Sequence, residues 1–319
     1  MPGTPPARYV YLGPAGTFAE QALRTLPVAR KARLEPAFSV PEALEAVRSG
    51  EADAALVPLE NSVGGAEGVT LDELANGAPL VITREVVLAV NFVLGARRPI
   101  DLATARSVAA HPNAARQCRG WIRTHLPSAT VVEVLSNAAA AEAASAGEYD
   151  VAVCAPIGAE RAKLTVLATE IADHKDAMTR FALVARPAAP PPPTGDDVTS
   201  LAVYISHDRV GALLTVLTEL AVRGVNLTRI ESRPTGERLG RYAFFLDCTG
   251  HVAETRMGEA LQGLHRVCAD VRFLGSYPRA ANPGEATPPA KRTAQPGTSD
   301  EDFADSVAWL AQLRESSAG

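Results

Sequence analysis

Residues 54–68 read Ala-Ala-Leu-Val-Pro-Leu-Glu-Asn-Ser-Val-Gly-Gly-Ala-Glu-Gly, a short apolar run that empties into a carboxylate, an amide, a hydroxyl and two adjacent glycines. An apolar run of this length, bounded by turn residues, reads as a buried strand. In open α/β sheets small molecules sit beyond the carboxyl ends of the strands, which is where the polar residues fall. Glu60, Asn61 and Ser62 are therefore either one wall of a binding site or a solvated connection, and on these residues alone both readings stand.

Upstream, residues 8–12 form a short strand that Gly13-Pro-Ala-Gly16 turns toward a helix beginning near Thr17. Thr17 and Glu20 stand at capping-box spacing, so the Thr17 hydroxyl caps that helix, faces an anion at its N-terminus, or does both. Residues 34–38 read as a second strand, and Ser39-Val-Pro-Glu42 opens a second helix that Gly50 closes. Strand and helix alternating over short connections is the pattern of a parallel sheet with helices on its faces. The glycines match neither a P-loop nor a full Gly-x-Gly-x-x-Gly, so no nucleotide is implied.

Downstream, residues 80–94 are too long and too β-branched for one ordinary strand and are expected to cross into a second lobe. A new alternation follows: strand 107–110, helix 113–125, strand 130–134, helix 137–146 closed by Gly147, and strand 151–154. Residues 179–185 are strand-like again and are expected to return to the first lobe. Arg186-Pro-Ala-Ala-Pro-Pro-Pro-Pro-Thr-Gly195 is a semi-rigid linker. Beyond it come strand 200–205, helix 211–223, strands 225–232 and 242–248, helix 253–268 and strand 271–277, the βαββαβ order of a ferredoxin-like domain. Residues 280–300 have a disordered composition. In the closing segment Val307, Trp309, Leu310 and Leu313 share one helical face, with Trp309 expected to dock on this chain or a partner.

Composition narrows the function. With 319 residues, 47% hydrophobic and 21% charged, the chain has room for two or three domains. A net charge of −5 without a basic face argues against nucleic acid. The opening residues lack a secretory pattern and no apolar stretch is long enough to span a bilayer, so a cytoplasmic protein without membrane association is expected. Cys118, Cys154, Cys248 and Cys268 are far apart and have no His at zinc-ligand spacing, which disfavours a metal site and a disulfide framework alike.

Four motifs, Tyr11-Leu-Gly-Pro-Ala-Gly-Thr-Phe18, Val57-Pro-Leu-Glu-Asn-Ser62, Thr179-Arg-Phe181 and Glu231-Ser-Arg-Pro234, occur in the order and spacing of one family. From about residue 8 to 280 the chain resembles a prephenate dehydratase. The resemblance implies an α/β fold: a two-lobed catalytic region built like a type II solute-binding protein, followed by a ferredoxin-like ACT domain that senses phenylalanine. The catalytic region is expected over 8–186, with lobe 1 at about 8–83 and 168–186 and lobe 2 at about 84–167. A linker at 187–198, the ACT domain at 199–279 and a flexible tail with a short helix at 280–319 complete the chain.

The implied reaction removes carbon dioxide and water from prephenate to leave phenylpyruvate, without metal or organic cofactor. Thr179, Arg180 and Glu60 are the expected catalytic residues: Thr179 donating to the departing oxygen, Arg180 forking a carboxylate, and Glu60 acting as an acid if burial raises it or else orienting its neighbours. Thr17, Phe18, Asn61, Ser62, Gln117, Ser136 and Phe181 are expected to bind substrate, with Phe181 either an apolar wall or simply core. Two departures fall in lobe 2, where Ala110-His111-Pro112-Asn113 lacks a Ser before His-Pro and a Gln after it, and Ser136-Asn137-Ala138 carries an amide in place of a hydroxyl. For the effector, the resemblance implies Gly211, Ala212, Leu213, Asn226, Leu227, Glu231, Ser232, Arg233 and Pro234. ACT sites form between domains, so a homo-oligomer, dimer or tetramer, joined through ACT and catalytic domains is implied. Arogenate dehydration on the same fold and a non-catalytic small-molecule receptor are the competing readings.

Overall fold

The computed structural model describes residues 6–205, 210–235, 242–283 and 296–316. Residues 206–209, just before the expected ACT helix, and 284–295 of the expected tail lie outside this range. Lobe 1 begins with β1 (Arg8–Leu12), α1 (Phe18–Thr25), β2 (Arg33–Ala37), α2 (Val40–Arg48) and β3 (Ala54–Asn61). β1 pairs in parallel with β2 and with β3, and the apolar run 54–57 is buried, as its composition requires. A small β4 (Gly65–Ala66) folds back on β3, followed by α3 (Gly68–Ala75) and β5 (Val81–Ala89).

Lobe 2 comprises β6 (Val93–Ala96), β7 (Ser107–Ala110), α4 (Pro112–Gln117), α5 (Arg119–His125), β8 (Thr130–Glu133), α6 (Asn137–Ala146), β9 (Val151–Cys154), α7 (Pro156–Arg161) and β10 (Thr165–Ala168). The chain then returns through β11 (Met178–Ala185). Lobe 1's sheet has the order β2-β1-β3-β11-β5 and lobe 2's the order β10-β6-β9-β7-β8. The two crossings run side by side, the Val90 amide donating to the Ala177 carbonyl at 2.7 Å. Val108, Val151, Val153, Leu94 and Ile122 form the centre of lobe 2's own core.

Two local expectations are corrected. The single helix expected over 113–125 breaks at Cys118, because the Asp173 carboxylate accepts from the Gly120 and Trp121 amides at 2.8 and 3.1 Å and so starts a second helix there. The Thr17–Glu20 capping box does not form: Thr17 donates to the Leu12 carbonyl at 3.0 Å, while Glu20 accepts from the Gly16 amide at 2.7 Å. Ser39 does cap α2, its Oγ accepting from the Glu42 amide at 3.3 Å. α3, α7 and β10 had no counterpart in the sequence reading.

The chain divides into two compact units, residues 1–70 with 86–184 and residues 71–85 with 185–319. The second contains β12 (Asp197–Tyr204), α8 (Ala212–Ala221), β13 (Leu227–Pro234), β14 (Tyr242–Thr249), α9 (Thr255–Val267) and β15 (Asp270–Pro278), then α10 (Asp300–Ser316). This is the expected βαββαβ order, in an antiparallel sheet ordered β13-β14-β12-β15. Leu201, Val203, Val216, Leu220, Leu246, Met257 and Leu264 pack the helices onto one face of the sheet.

Residues 71–85 belong to this unit because its sheet grips them. The Tyr204 hydroxyl donates to the Ala75 carbonyl at 2.9 Å, Arg272 reaches the Ala75 and Gly77 carbonyls at 2.7 and 2.8 Å, and Arg233 pairs with Asp72. β12 starts inside the expected linker. The terminal helix is longer than expected and abuts α9, with the Asp300 carboxylate accepting from the Thr255 amide at 3.0 Å. Val307, Trp309, Leu310 and Leu313 remain 41–61% exposed, so the apolar stripe does not bury itself on this chain.

Candidate active site

The lobes of the first unit enclose a cleft of about 530 Å³. On the lobe 1 side, β3 and β11 end next to each other and bring Asn61 against Thr179. Asn61 Oδ1 accepts from the Val63 and Gly64 amides at 2.9 and 2.8 Å, which fixes the orientation of the side-chain amide. Its Nδ2 must then point to Thr179, and it donates to the Thr179 Oγ1 at 2.8 Å. A hydroxyl that accepts this bond keeps its own proton for another acceptor. Thr179 is 9% exposed and lines the cleft, so that acceptor can be a bound molecule.

Strand alternation sorts the rest of the motif. Thr179 and Phe181 line the cleft, whereas Arg180 between them is not part of its lining. Arg180 lies 3.9 Å from Glu60, which likewise leaves the cleft to its neighbour Asn61. Ser62 is also outside the lining: its amide donates to the Met178 carbonyl and its Oγ accepts from the Met178 amide, both at 2.9 Å, clamping the loop to the start of β11. Thr17, Phe18, Asn61, Gln117, Ser136, Thr179 and Phe181 are therefore brought together, and Glu60, Ser62 and Arg180 are not.

The opposite wall comes from lobe 2. Ser136 caps α6 by accepting from the Ala139 amide at 2.9 Å, and α6 and α1 both point their N-termini at the cleft. Because Thr17 turns away, no side chain caps α1, and its first-turn amides form a positive helix end suited to an anion. Gln117 is 8% exposed, and its Oε1, like Asn137 Oδ1, is buried without a hydrogen-bond partner. Both residues line the cleft, where a bound molecule can supply the missing partners.

Sequence reasoning missed Arg116, the only Lys or Arg among the described residues lining the cleft. Its guanidinium is steadied by Asn113 Oδ1 at 2.9 Å. The signal was present, since Asn113, Arg116 and Gln117 stand at i, i+3 and i+4. Glu67 was missed too; desolvation against the wall raises its carboxyl, although the residue as a whole stays exposed at the rim. His111 caps α4 through Nδ1, and burial lowers its pKa despite the opposing pull of Glu133, so it is neutral at pH 7. Burial pushes the thiols of Cys118, Cys154 and Cys248 up to about 12, as befits core residues. No group of three or more potential metal ligands occurs among the described residues, and no described helix is long and apolar enough to cross a membrane.

In the second unit, Gly211 takes the N-cap of α8 at φ +79° with no side-chain cap, so the amides of Ala212 and Leu213 open a helix N-terminus of the kind that binds carboxylates. Asn226 uses its carbonyl to accept from the Thr249 amide at 2.8 Å, just before Leu227 enters β13. Glu231, Ser232, Arg233 and Pro234 end β13, an edge strand. Arg233, expected as an effector contact, is held by Asp72, with Nε and the terminal nitrogen 3.0 and 2.5 Å from the two carboxylate oxygens.

Comparison with known proteins agrees with this architecture. Residues 9–189 match the prephenate dehydratase family and residues 199–266 match the ACT domain. A prephenate dehydratase of Amycolatopsis methanolica is 49% identical over 309 residues, covering 97% of this chain and 98% of that protein. The crystal structure of prephenate dehydratase from Arthrobacter aurescens in complex with L-Phe superposes with a TM-score of 0.89 at 45% identity, covering 97% of this chain and 100% of the other. GqqA, described as a novel type of quorum-quenching acylase, superposes with a TM-score of 0.75 at 30% identity, covering 86% and 98%. The matches span both parts of the chain at high identity, and the chain belongs to the prephenate dehydratase family, lyases that here carry a C-terminal ACT domain.

Proposed function

We propose that the cleft converts prephenate to phenylpyruvate with Thr179 as the donor to the leaving hydroxyl. The observation that carries this is the bond from Asn61 Nδ2 to Thr179 Oγ1 at 2.8 Å, which leaves the threonine proton directed elsewhere. In the reaction the bond to the ring carboxylate breaks and its electron pair enters the ring. The carbon–oxygen bond at the opposite ring carbon breaks in concert, its electron pair leaving with the hydroxyl, which takes a proton from solvent to become water. An alcohol is too weak an acid to give up its proton outright; a hydrogen bond placed where negative charge develops lowers the barrier without full transfer.

Prephenate is a dianion, and the cleft offers Arg116 and the N-termini of α1 and α6 for its carboxylates. Phe18, Phe92 and Phe181 give a dry surface beside the ring, with Phe18 and Phe92 in edge-to-face contact at 5.3 Å. Poor solvation of the carboxylate that leaves favours its loss. Glu60 and Arg180 act behind the site, bracing the strand ends that carry Asn61 and Thr179.

The same proposal assigns phenylalanine to the ACT domain, its carboxylate at the α8 N-terminus above Gly211, Ala212 and Leu213, with Asn226, Leu227, Glu231, Ser232 and Pro234 beside it. Support comes from the uncapped α8 and from the L-Phe complex of the Arthrobacter relative. A second copy completes that site in this reading, covering Leu214 of α8 and Ile230 of the edge strand β13, which stand 66% and 43% exposed. Action in the cytoplasm goes with this reading. Purified protein should turn prephenate into phenylpyruvate without added metal, at a rate that phenylalanine alters. Binding without turnover would favour the receptor reading, and faster turnover of arogenate would move the substrate.

A further inference from the structure

At one end of the cleft the two lobes touch through backbone. A Cβ added to Gly158 of α7 would lie 2.9 Å from the Gly16 carbonyl oxygen, and one added to Gly16 would lie 3.2 Å from Gly158 Cα. Gly16 also sits at φ +90°, a conformation that other residues rarely adopt. Beside this contact is the Glu20 carboxylate, whose side chain is 1% exposed. One oxygen accepts from the Gly16 amide at 2.7 Å; the other accepts from Arg24 Nε at 2.7 Å and from Arg161, which reaches over from lobe 2.

Burying a carboxylate is costly unless charge and hydrogen bonds compensate, and here the compensation comes from both lobes. Arg24 and the Gly16 amide would satisfy Glu20 within lobe 1. Arg161 is the partner that comes from lobe 2, and it adds a tie between two lobes that each bury apolar residues of their own. The tied turn leads directly into Thr17 and Phe18 of the cleft wall.

We infer that Glu20 is a positioning residue: gripping the Gly16 turn on one side and Arg161 on the other, it clasps the lobes at the separation the reaction needs. The inference rests on the cleft being the active site. Loosening the clasp populates an open form that must close on substrate, so apparent affinity falls by the fraction that is competent while turnover of bound substrate persists.

The test uses the full chain with Arg161→Met, Arg161→Lys, Glu20→Gln and the double variant Glu20→Gln/Arg161→Met. Steady-state kinetics with prephenate are read alongside interlobe distances from spin labels placed at Val28 and Val131, partly exposed positions outside the cleft. Arg161→Met should raise KM about tenfold and leave kcat within about twofold, with a broader, longer distance distribution. Arg161→Lys should recover part of both effects, and the double variant should be no worse than the poorer single one. A parental KM and distance distribution in Arg161→Met would overturn the clasp, as would additive losses in the double variant. Should Glu20→Gln fail to fold, the two Arg161 variants carry the test alone. If the parent shows no turnover, the active-site reading fails, while the distance measurement still decides whether the lobes are clasped.

Discussion

Replacing Asn61 with Asp changes one nitrogen to oxygen and reverses the polarity of the bond to Thr179. The new carboxylate keeps the Val63 and Gly64 amides on one oxygen, at the 2.9 and 2.8 Å now taken by Oδ1. These donors hold it ionised. Its other oxygen lies where Nδ2 now stands, 2.8 Å from Thr179 Oγ1, and can only accept. Thr179 then gives its proton to residue 61 and has none for the departing hydroxyl. Losing one preorganised donor costs about 2.7–4 kcal/mol at the transition state, or roughly a 10²–10³-fold drop in kcat. The added charge will also raise KM for a dianion, so kcat at saturating prephenate is the quantity to follow, as phenylpyruvate formed per enzyme. On a Thr179→Val background Asn61→Asp should cost little more, because the bond it disturbs is already gone. A kcat within about threefold of the parent, or additive losses across the cycle, would refute the reasoning.

Arg116→Met removes the cleft's cation from an exposed helix position and should raise KM for prephenate by roughly 10–100-fold, the worth of a charged hydrogen bond, with melting temperature unchanged. An unaltered KM in low salt would take Arg116 out of substrate binding. Arg233→Met should leave phenylalanine affinity within about threefold by calorimetry, because Arg233 is already paired with Asp72; a larger loss would mean that it abandons Asp72 for the effector. Burial alone would raise the Glu20 carboxyl, but the Gly16 amide, Arg161 and Arg24 outweigh it and hold the group below its ordinary 4.5, with Tyr11 its other titratable neighbour. A lowered folded-state pKa contributes stability that is complete above the ordinary value and is lost as pH falls through the lowered one. Glu20→Gln should therefore flatten the acid side of the melting-temperature profile, and an acid limb as steep as the parent's would count against this.

The periodicity of the chain was enough to read the two lobes and the βαββαβ domain, because buried strands such as 54–57 and 151–154 are continuous apolar runs with turn residues at their ends. The break at Cys118 was not readable, since its cause is Asp173, more than fifty residues away. α3 was missed because its sequence, Gly-Val-Thr-Leu-Asp-Glu-Leu-Ala, follows a glycine-rich loop and has only a weak apolar face. In the site, adjacency in a motif is not adjacency in space. Alternation along β11 sends Thr179 and Phe181 into the cleft and Arg180 away from it, and the same rule on β3 separates Asn61 from Glu60. That signal lay in the strand assignment itself. The Ser62 clamp and the Glu20–Arg161 tie join residues 116 and 141 positions apart, and nothing local announces them.

The central claim, that the Thr179 hydroxyl donates to the leaving oxygen, is tested most directly by kcat for Thr179→Ser and Thr179→Val with prephenate. Serine keeps the hydroxyl, and valine keeps the shape without it. The account predicts Thr179→Ser within about tenfold of the parent and Thr179→Val lower by roughly 10² or more, with both proteins folded. A Thr179→Val enzyme as fast as Thr179→Ser would contradict it and turn attention to the Glu67 carboxyl at the cleft rim.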